Sequence, residues 1–149
     1  MPKADLLKRF IAALIDGLIG AVPSMIPVIG PIIGSAYILT KDALIYELTQ
    51  NEEFRNRSIG KKLMSLEVSA LGEEGTIDWS LSIKRNIPLA IGSIIAIIPI
   101  IGTIIGGLVA LVIGIIEAVL VLTDSSGRRI GDKFAETQVI ESEPEPADS

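Results

Sequence analysis

The sequence predicts an all-α membrane protein with four transmembrane helices, arranged as two duplicated parallel-repeat hairpins with a short cytoplasmic β-hairpin between them. Apolar residues make up 49% of the 149 residues, and the mean hydropathy is +0.56. They gather in two blocks, residues 10–40 and 86–121, whereas a soluble core spreads them at amphipathic spacing. Proline and glycine interrupt both blocks, and the second block repeats the first. Together these observations exclude an ordinary soluble domain.

The first apolar block is broken at Pro23 and Pro27, and the second at Pro99 and Gly102. These residues interrupt helical hydrogen bonding, so each block is interpreted as a helical hairpin. A full span needs roughly 20 apolar residues to cross about 30 Å of hydrocarbon. The helices must therefore run past their flanking charges to cross fully. Tilted packing, or re-entry without crossing, is the alternative.

An internal repeat links the two halves. Residues 26–34 (IPVIGPIIG) return as residues 98–106 (IPIIGTIIG) at an offset of 72, and the basic segment 57–63 returns as 128–134. We infer a duplication, with repeat one at about residues 6–71 and repeat two at about residues 78–140 of a domain spanning 1–140. Because each repeat holds two crossings, the repeats should be parallel.

Every lysine and arginine lies outside the two hairpin turns. The positive-inside rule therefore places both termini and the central segment in the cytoplasm, with the protein integral to the cytoplasmic (inner) membrane. The net charge of −5 reflects the tail at residues 141–149, which carries four acids and two prolines. Its composition predicts a disordered, solvated segment.

The central segment alternates between apolar and polar residues at 66–71, turns at 72–75 and resumes at 76–77. This pattern predicts the short cytoplasmic β-hairpin. Residues 137–140 are the repeat equivalent of the first strand and form a second candidate partner for it. Asp78 is a candidate N-cap for the helix that follows.

Asp16 and Glu117 are the two acids within the apolar blocks. An intramembrane carboxylate is costly unless it is protonated, paired or hydrated, so both are candidates for ion or proton binding. The competing interpretation is that Asp16 pairs with donors on neighbouring helices and fixes the geometry of the bundle. Glu117 is expected nearer the cytoplasmic interface.

Charged residues at the predicted helix ends form a candidate polar network on the cytoplasmic side, with simple interfacial anchoring as the alternative. Its members are Arg9, Asp42, Arg85 and Asp132. Glycines at four-residue spacing predict close helix packing, within one chain or between chains. These are Gly30, Gly34, Gly102 and Gly106.

Several of these motifs resemble the RDD family of bacterial membrane proteins. The similar segments are 8–17 (KRFIAALIDG), 41–44 (KDAL), 57–63 (RSIGKKL), 84–86 (KRN) and 128–133 (RRIGDK). The resemblance assigns the family's arginine and first aspartate to Arg9 and Asp16, and its second aspartate to Asp132, with Asp42 as the alternative. Glycine is commoner in the family at Glu136. Transport of unknown ligands is suspected for the family, and some members are credited with sodium/proton exchange.

Two functions follow from these patterns. The first is a small transporter or cation/proton exchange module that uses an intramembrane aspartate. The alternative is a non-catalytic accessory or structural subunit of a larger membrane complex. We expect a homo-oligomer or a membrane-complex partner within the lipid bilayer. With no His, no Cys and no phosphate loop, the sequence predicts no enzyme, cofactor or metal site, and no binding of nucleic acid.

Overall fold

A computed structural model describes residues 3–27, 29–71 and 75–142. The described part is mostly helical, with one small antiparallel sheet. The elements of the first half are α1 (Leu6–Ser24), α2 (Ile29–Thr40), α3 (Leu44–Thr49), a 3-10 turn (Glu52–Phe54), α4 (Ile59–Leu63) and β1 (Leu66–Ala70). The elements of the second half are α5 (Trp79–Ile95), α6 (Ile101–Thr123), α7 (Ile130–Phe134) and β2 (Thr137–Glu141).

The four long helices form two hairpins that meet through their inner members. Helix α1 packs on α2, α5 packs on α6, and α2 packs on α5. Aspartates begin both leading helices: Asp5 accepts a hydrogen bond from the Lys8 amide at 2.9 Å, and Asp78 accepts one from the Leu81 amide at 2.8 Å. Each cap satisfies an amide that the first helical turn leaves unpaired.

Glycines allow close approach of the two helices within each hairpin. A Cβ added to Gly34 would lie 2.5 Å from the carbonyl oxygen of Gly20, and one on Gly106 would collide with the carbonyl oxygen of Gly92. Gly30 and Gly102 make equivalent approaches one turn earlier. The small residues therefore bring the backbones of one chain together at these crossings.

The sheet joins the two halves of the chain. Strand β1 pairs antiparallel with β2, with Leu66 opposite Glu141 and Ala70 opposite Thr137. The predicted β-hairpin with residues 76–77 is wrong, because those two residues form no strand and the Ile77 amide instead donates to Asn56 Oδ1 at 2.6 Å. Strand β1 pairs instead with β2, which contains the second candidate partner, residues 137–140.

Pairing between the two halves of the chain is favoured because it buries apolar side chains. Leu66 and Val139 form a buried cluster with Ala4 and Ala12 at the start of the chain. Strand β2 extends through Glu141, whose Oε2 lies 2.7 Å from Lys8 Nζ. The rest of the predicted tail, residues 143–149, and the predicted turn at 72–74 lie outside the described residues.

Among the described helices, α6 alone is long and apolar enough to cross a membrane, judged by length and composition. Only 11% of its most apolar stretch is buried, so its Ile, Leu and Val side chains face outward on most sides. Helix α2 is apolar but has 12 residues. The structure thus supports membrane association through α6, and four complete crossings stay a prediction.

Candidate functional site

Nine charged side chains converge where α1, the end of α2, the end of α6 and helices α4, α5 and α7 meet. All are at most 9% exposed except Arg129, whose side chain is 13% exposed. Ion pairs of 2.6 to 3.8 Å and hydrogen bonds connect most of them, and we call this set the charged network. Its members are Arg9, Asp16, Lys41, Asp42, Lys61, Arg85, Glu117, Arg129 and Asp132.

Asp16 is surrounded by hydrogen-bond donors. Its carboxylate accepts from Ser58 Oγ at 2.6 Å, from the Gly60 amide at 2.8 Å and from Lys41 Nζ at 3.2 Å. The Tyr37 hydroxyl lies 3.4 Å away. Ser58 is placed for this contact because it also caps α4, where its Oγ accepts from the Lys61 amide. These contacts favour the ionised form of Asp16.

Lys61 lies between the two aspartates of the first half. Its Nζ is 2.6 Å from Asp42 Oδ1, 3.3 Å from Ser58 Oγ and 3.8 Å from Asp16 Oδ2. Burial lowers the pKa of Lys61 to about 8, although Asp42 opposes that shift. Lys61 therefore changes charge in a mildly alkaline range.

Asp42 connects the two halves of the network. Besides Lys61, its carboxylate lies 3.4 Å from Arg85 Nη1 and accepts from Asn86 Nδ2 at 2.9 Å. Burial by itself would raise the pKa of Asp42, but the adjacent Lys61 and Arg85 hold it well below its usual range. Asp42 thus stays charged in the interior because cations surround it.

Asp132 collects three guanidinium groups in the second half. Its carboxylate lies 2.6 Å from Arg85 Nη2, and 3.4 Å from both Arg9 Nη2 and Arg129 Nε. Burial opposes ionisation, but these arginines lower the pKa of Asp132 to about 2. Arg9 also donates to the Gly127 carbonyl at 2.6 Å, which ties the start of α1 to the C-terminal segment.

Glu117 lies at the edge of the network on α6. One oxygen accepts a hydrogen bond from the Ile130 amide at 2.9 Å, at the start of α7. The other oxygen, Oε1, is buried and has no hydrogen-bond partner among the described residues. Burial disfavours the charge on Arg129, but Asp132 and Glu117 outweigh it and raise the pKa of Arg129.

The two short helices that carry Lys61 and Asp132 dock in the same way. A Cβ on Gly60 would collide with the carbonyl of Ala12 on α1, and one on Gly131 would collide with the carbonyl of Arg85 on α5. Each charged side chain follows its glycine directly in sequence, so the close docking points it inward. Ala12 on α1 and Arg85 on α5 therefore occupy equivalent positions beneath the two short helices.

The structure brings Arg9, Asp42, Arg85 and Asp132 into one network, together with both candidate acids. Sequence reasoning did not select Lys61, Ser58, Asn86 or Arg129, and it considered Lys41 only as the neighbour of Asp42. The repeat contained the signal for Lys61, because it aligns with Asp132. Among the described residues, no three Asp, Glu, His or Cys side chains converge to hold a metal ion.

Comparison with known proteins gives one match. The model of the RDD family matches residues 36–136, which is more than half of the chain and runs from the end of α2 to the end of α7. This range includes Asp42, Lys61, Arg85 and Asp132. No curated protein and no solved structure matches the chain.

Proposed function

The chain belongs to the RDD family of membrane proteins, and from this premise we propose that it is a small cation/proton exchange module. In this proposal Asp16 and Asp42 bind either the protonated Lys61 side chain or a monovalent cation. The proton and the cation therefore compete for the same carboxylates. Transport follows when the two forms of the site face opposite sides of the membrane.

The position of Lys61 carries the proposal. Oxygen atoms of Asp42, Ser58 and Asp16 face its Nζ at 2.6, 3.3 and 3.8 Å. With a pKa of about 8, the ammonium releases its proton to water as the pH rises through a mildly alkaline range. The neutral amine is no longer held by the two carboxylates, and when its side chain turns aside, the position that its Nζ leaves presents oxygen ligands of the kind that hard cations prefer.

Charge balance supports a one-for-one exchange. Five basic and four acidic side chains give the network a net charge of +1 while Lys61 is protonated. Loss of one proton and gain of one monovalent cation return the network to the same charge. Burial of an unbalanced second charge is thereby avoided, which is what a low-dielectric site requires.

We also propose that the protein lies in the inner membrane with both termini in the cytoplasm. Contacts between Lys8 and Glu141, and between Arg9 and Gly127, support termini on the same side. The β1–β2 pairing adds the central segment to that side. The parallel order of elements in the two halves is consistent with the proposed duplication.

Proton flux in proteoliposomes tests the exchange. An imposed Na⁺ or K⁺ gradient should drive counterflow of protons, measured with a pH-sensitive dye, and the rate should rise between about pH 7 and pH 9 as Lys61 loses its proton. Asp16→Asn and Lys61→Gln should each abolish the flux. Lys62→Gln is the matched control, because the neighbouring Lys62 pairs with the half-exposed Glu53. Unchanged flux in Asp16→Asn would exclude that carboxylate as the carrier.

The exposed apolar surface of α6 favours a second candidate, an accessory subunit or homo-oligomer. Helix α6 presents Ile104, Leu108, Leu111 and Ile115 at more than half exposure, a surface that lipid or another helix would cover. Purification in a mild detergent separates the cases. A stoichiometric second protein that copurifies supports the accessory role, and a chain that copurifies only with itself contradicts it.

A further inference from the structure

A groove with apolar walls opens between α1 and α6 and ends at the charged network. Its volume is about 440 Å³. It forms because α1 and α6 pack on α2 and α5 rather than closely on each other. Leu6, Phe10 and Leu14 of α1 face Ala118 and Leu122 of α6 across it.

The lining of the groove carries more positive than negative charge. Five basic side chains line it with two acids, Asp16 and Glu117. The bases are Arg9, Lys41, Lys61, Arg85 and Arg129. Even when Asp42 and Asp132 behind them are counted, the network keeps a net charge of +1 while Lys61 is protonated. A buried unbalanced charge is unfavourable, so a bound monoanion would stabilise the groove where it meets the network.

Arg85 provides a separate indication of a missing partner. Its side chain is 0% exposed, yet its Nε has no hydrogen-bond partner among the described residues, and its Nη1 has only the 3.4 Å ion pair with Asp42. A buried guanidinium donor without an acceptor is costly. The unpartnered Oε1 of Glu117 lies in the same lining and would accept from a hydroxyl. The end of the groove thus lacks both an acceptor and a donor.

We propose that this groove binds one phospholipid with a monoanionic phosphodiester and a hydroxylated headgroup, such as phosphatidylglycerol. The phosphate lies at the end lined by Arg9, Arg85 and Arg129, since guanidinium groups match phosphate oxygens in geometry and charge. An acyl chain follows the apolar walls away from the network. Anionic lipids of the cytoplasmic leaflet are attracted to basic pockets between membrane helices. The groove shares Lys61 and Asp16 with the proposed exchange site, but the lipid proposal rests on Arg85 and on the apolar walls and not on the titration of Lys61.

The other candidate occupants fit less well. An apolar helix from a second copy would cover Phe10 and Leu14 but would leave Arg85 without an acceptor. A free phosphate would satisfy Arg85 but would leave the apolar walls uncovered. A phospholipid supplies both an anion for Arg85 and an acyl chain for the apolar walls, so it fits the groove better than either alternative.

Lipid retention by the purified protein tests the headgroup requirement. The full chain is purified in detergent with either phosphatidylglycerol or phosphatidylcholine of the same acyl chains, and the retained lipid is quantified by mass spectrometry. We expect about one phosphatidylglycerol per chain and about tenfold less phosphatidylcholine, the discrimination expected from one charge-assisted hydrogen bond. Equal retention of the two lipids would overturn the proposal. The proposal would also be overturned if soluble glycerol phosphate stabilised the protein against unfolding as much as phosphatidylglycerol does, because the site would then bind the free anion.

Filling the groove tests its location without changing any charge. Gly114 lines the groove, and a Cβ there meets nothing within 4 Å, so Gly114→Phe should fold and occupy the acyl path. Gly107→Phe is the matched control, because Gly107 is equally open on the same helix but does not line the groove. We expect about tenfold lower retention of phosphatidylglycerol in Gly114→Phe alone. Equal retention in both variants contradicts the site, as does loss of a dimer in Gly114→Phe with lipid retention unchanged.

Discussion

Replacement of Asp132 by asparagine should destabilise the protein by about 3–5 kcal/mol, the cost of breaking a buried ion pair from one side. Asp132 is 0% exposed and balances Arg85 at 2.6 Å, with Arg9 and Arg129 each at 3.4 Å. Asparagine keeps the shape of the side chain but removes its charge. Three guanidinium groups then lose their shared counter-ion, and the net charge of the network rises from +1 to +2.

Chemical unfolding in lipid-detergent micelles, followed by the fluorescence of Trp79, measures this loss, because Trp79 is the only tryptophan in the chain. Glu53→Gln is the control: Glu53 is 56% exposed in its pair with Lys62, so its change should stay within about 0.5 kcal/mol. The double variant Arg85→Met with Asp132→Leu should recover much of the loss, since both charges leave together. A cost below about 0.5 kcal/mol for Asp132→Asn would refute the claim that the network is held by buried charge.

Three further predictions address acid stability, helix docking and backbone strain. The pKa of Asp132 is about 2 in the folded chain against 3.8 ordinarily, so ionisation of Asp132 contributes about 2 kcal/mol to the free energy of unfolding. This contribution is complete above about pH 5 and is lost as the pH falls through 2. The free energy of unfolding, measured against pH for the original chain and for Asp132→Asn, isolates the contribution, and identical profiles would contradict it. Gly131→Ala should lower the free energy of unfolding by several kcal/mol, because the added methyl group would collide with the Arg85 carbonyl. Gly107→Ala, on an exposed part of α6, should instead stabilise the chain by up to about 1 kcal/mol. Equal unfolding midpoints for the two variants would exclude the docking contact. Glu136→Gly should stabilise the folded chain by about 0.5–1 kcal/mol, since the φ of +52° at Glu136 favours glycine. A melting temperature below that of the original chain would show that the conformational entropy glycine adds to the unfolded chain outweighs the backbone strain relieved at this position.

The hairpin turns could be predicted from sequence because their cause is local. Proline removes a backbone donor, so Pro23 and Pro27 together indicate a break without any knowledge of packing: Pro23 lies in the last turn of α1, and Pro27 lies between α1 and α2. Likewise Asp78 caps α5 through an amide three residues away. The family resemblance favours glycine at position 136, where this chain has Glu136. That preference also has a local cause, because the backbone of Glu136 adopts a left-handed conformation.

The choice of strand partner and the role of Lys61 depend on distant contacts, so sequence reasoning left the first open between two candidates and missed the second. Two segments alternate well enough to pair with β1, and the choice between them comes from burial of Leu66 and Val139 with Ala4 and Ala12. A lysine beside a second lysine after a membrane block normally indicates an interfacial anchor. Lys61 points inward only because Gly60 docks α4 against the backbone of α1.

The number of membrane crossings depends on the length of each helix that lipid surrounds, which a local sequence pattern does not determine. The apolar pattern correctly predicted a membrane protein, because α6 carries an almost uninterrupted apolar surface. It predicted four crossings from two blocks, but the proline turn leaves α2 with 12 residues. Twelve residues rise about 18 Å, well short of the hydrocarbon thickness. Tilt, extension through the flanking turns or local thinning of the bilayer would have to make up the difference.

The titration of Lys61 by sodium tests the exchange proposal most directly. Its Nζ signal is followed by ¹⁵N NMR in lipid nanodiscs and assigned by its absence from Lys61→Arg. Competition for Asp16 and Asp42 predicts that the pKa, about 8 without the cation, falls by about one unit for each tenfold rise in Na⁺ above its dissociation constant. A pKa of Lys61 that does not change with Na⁺ concentration would contradict the shared site.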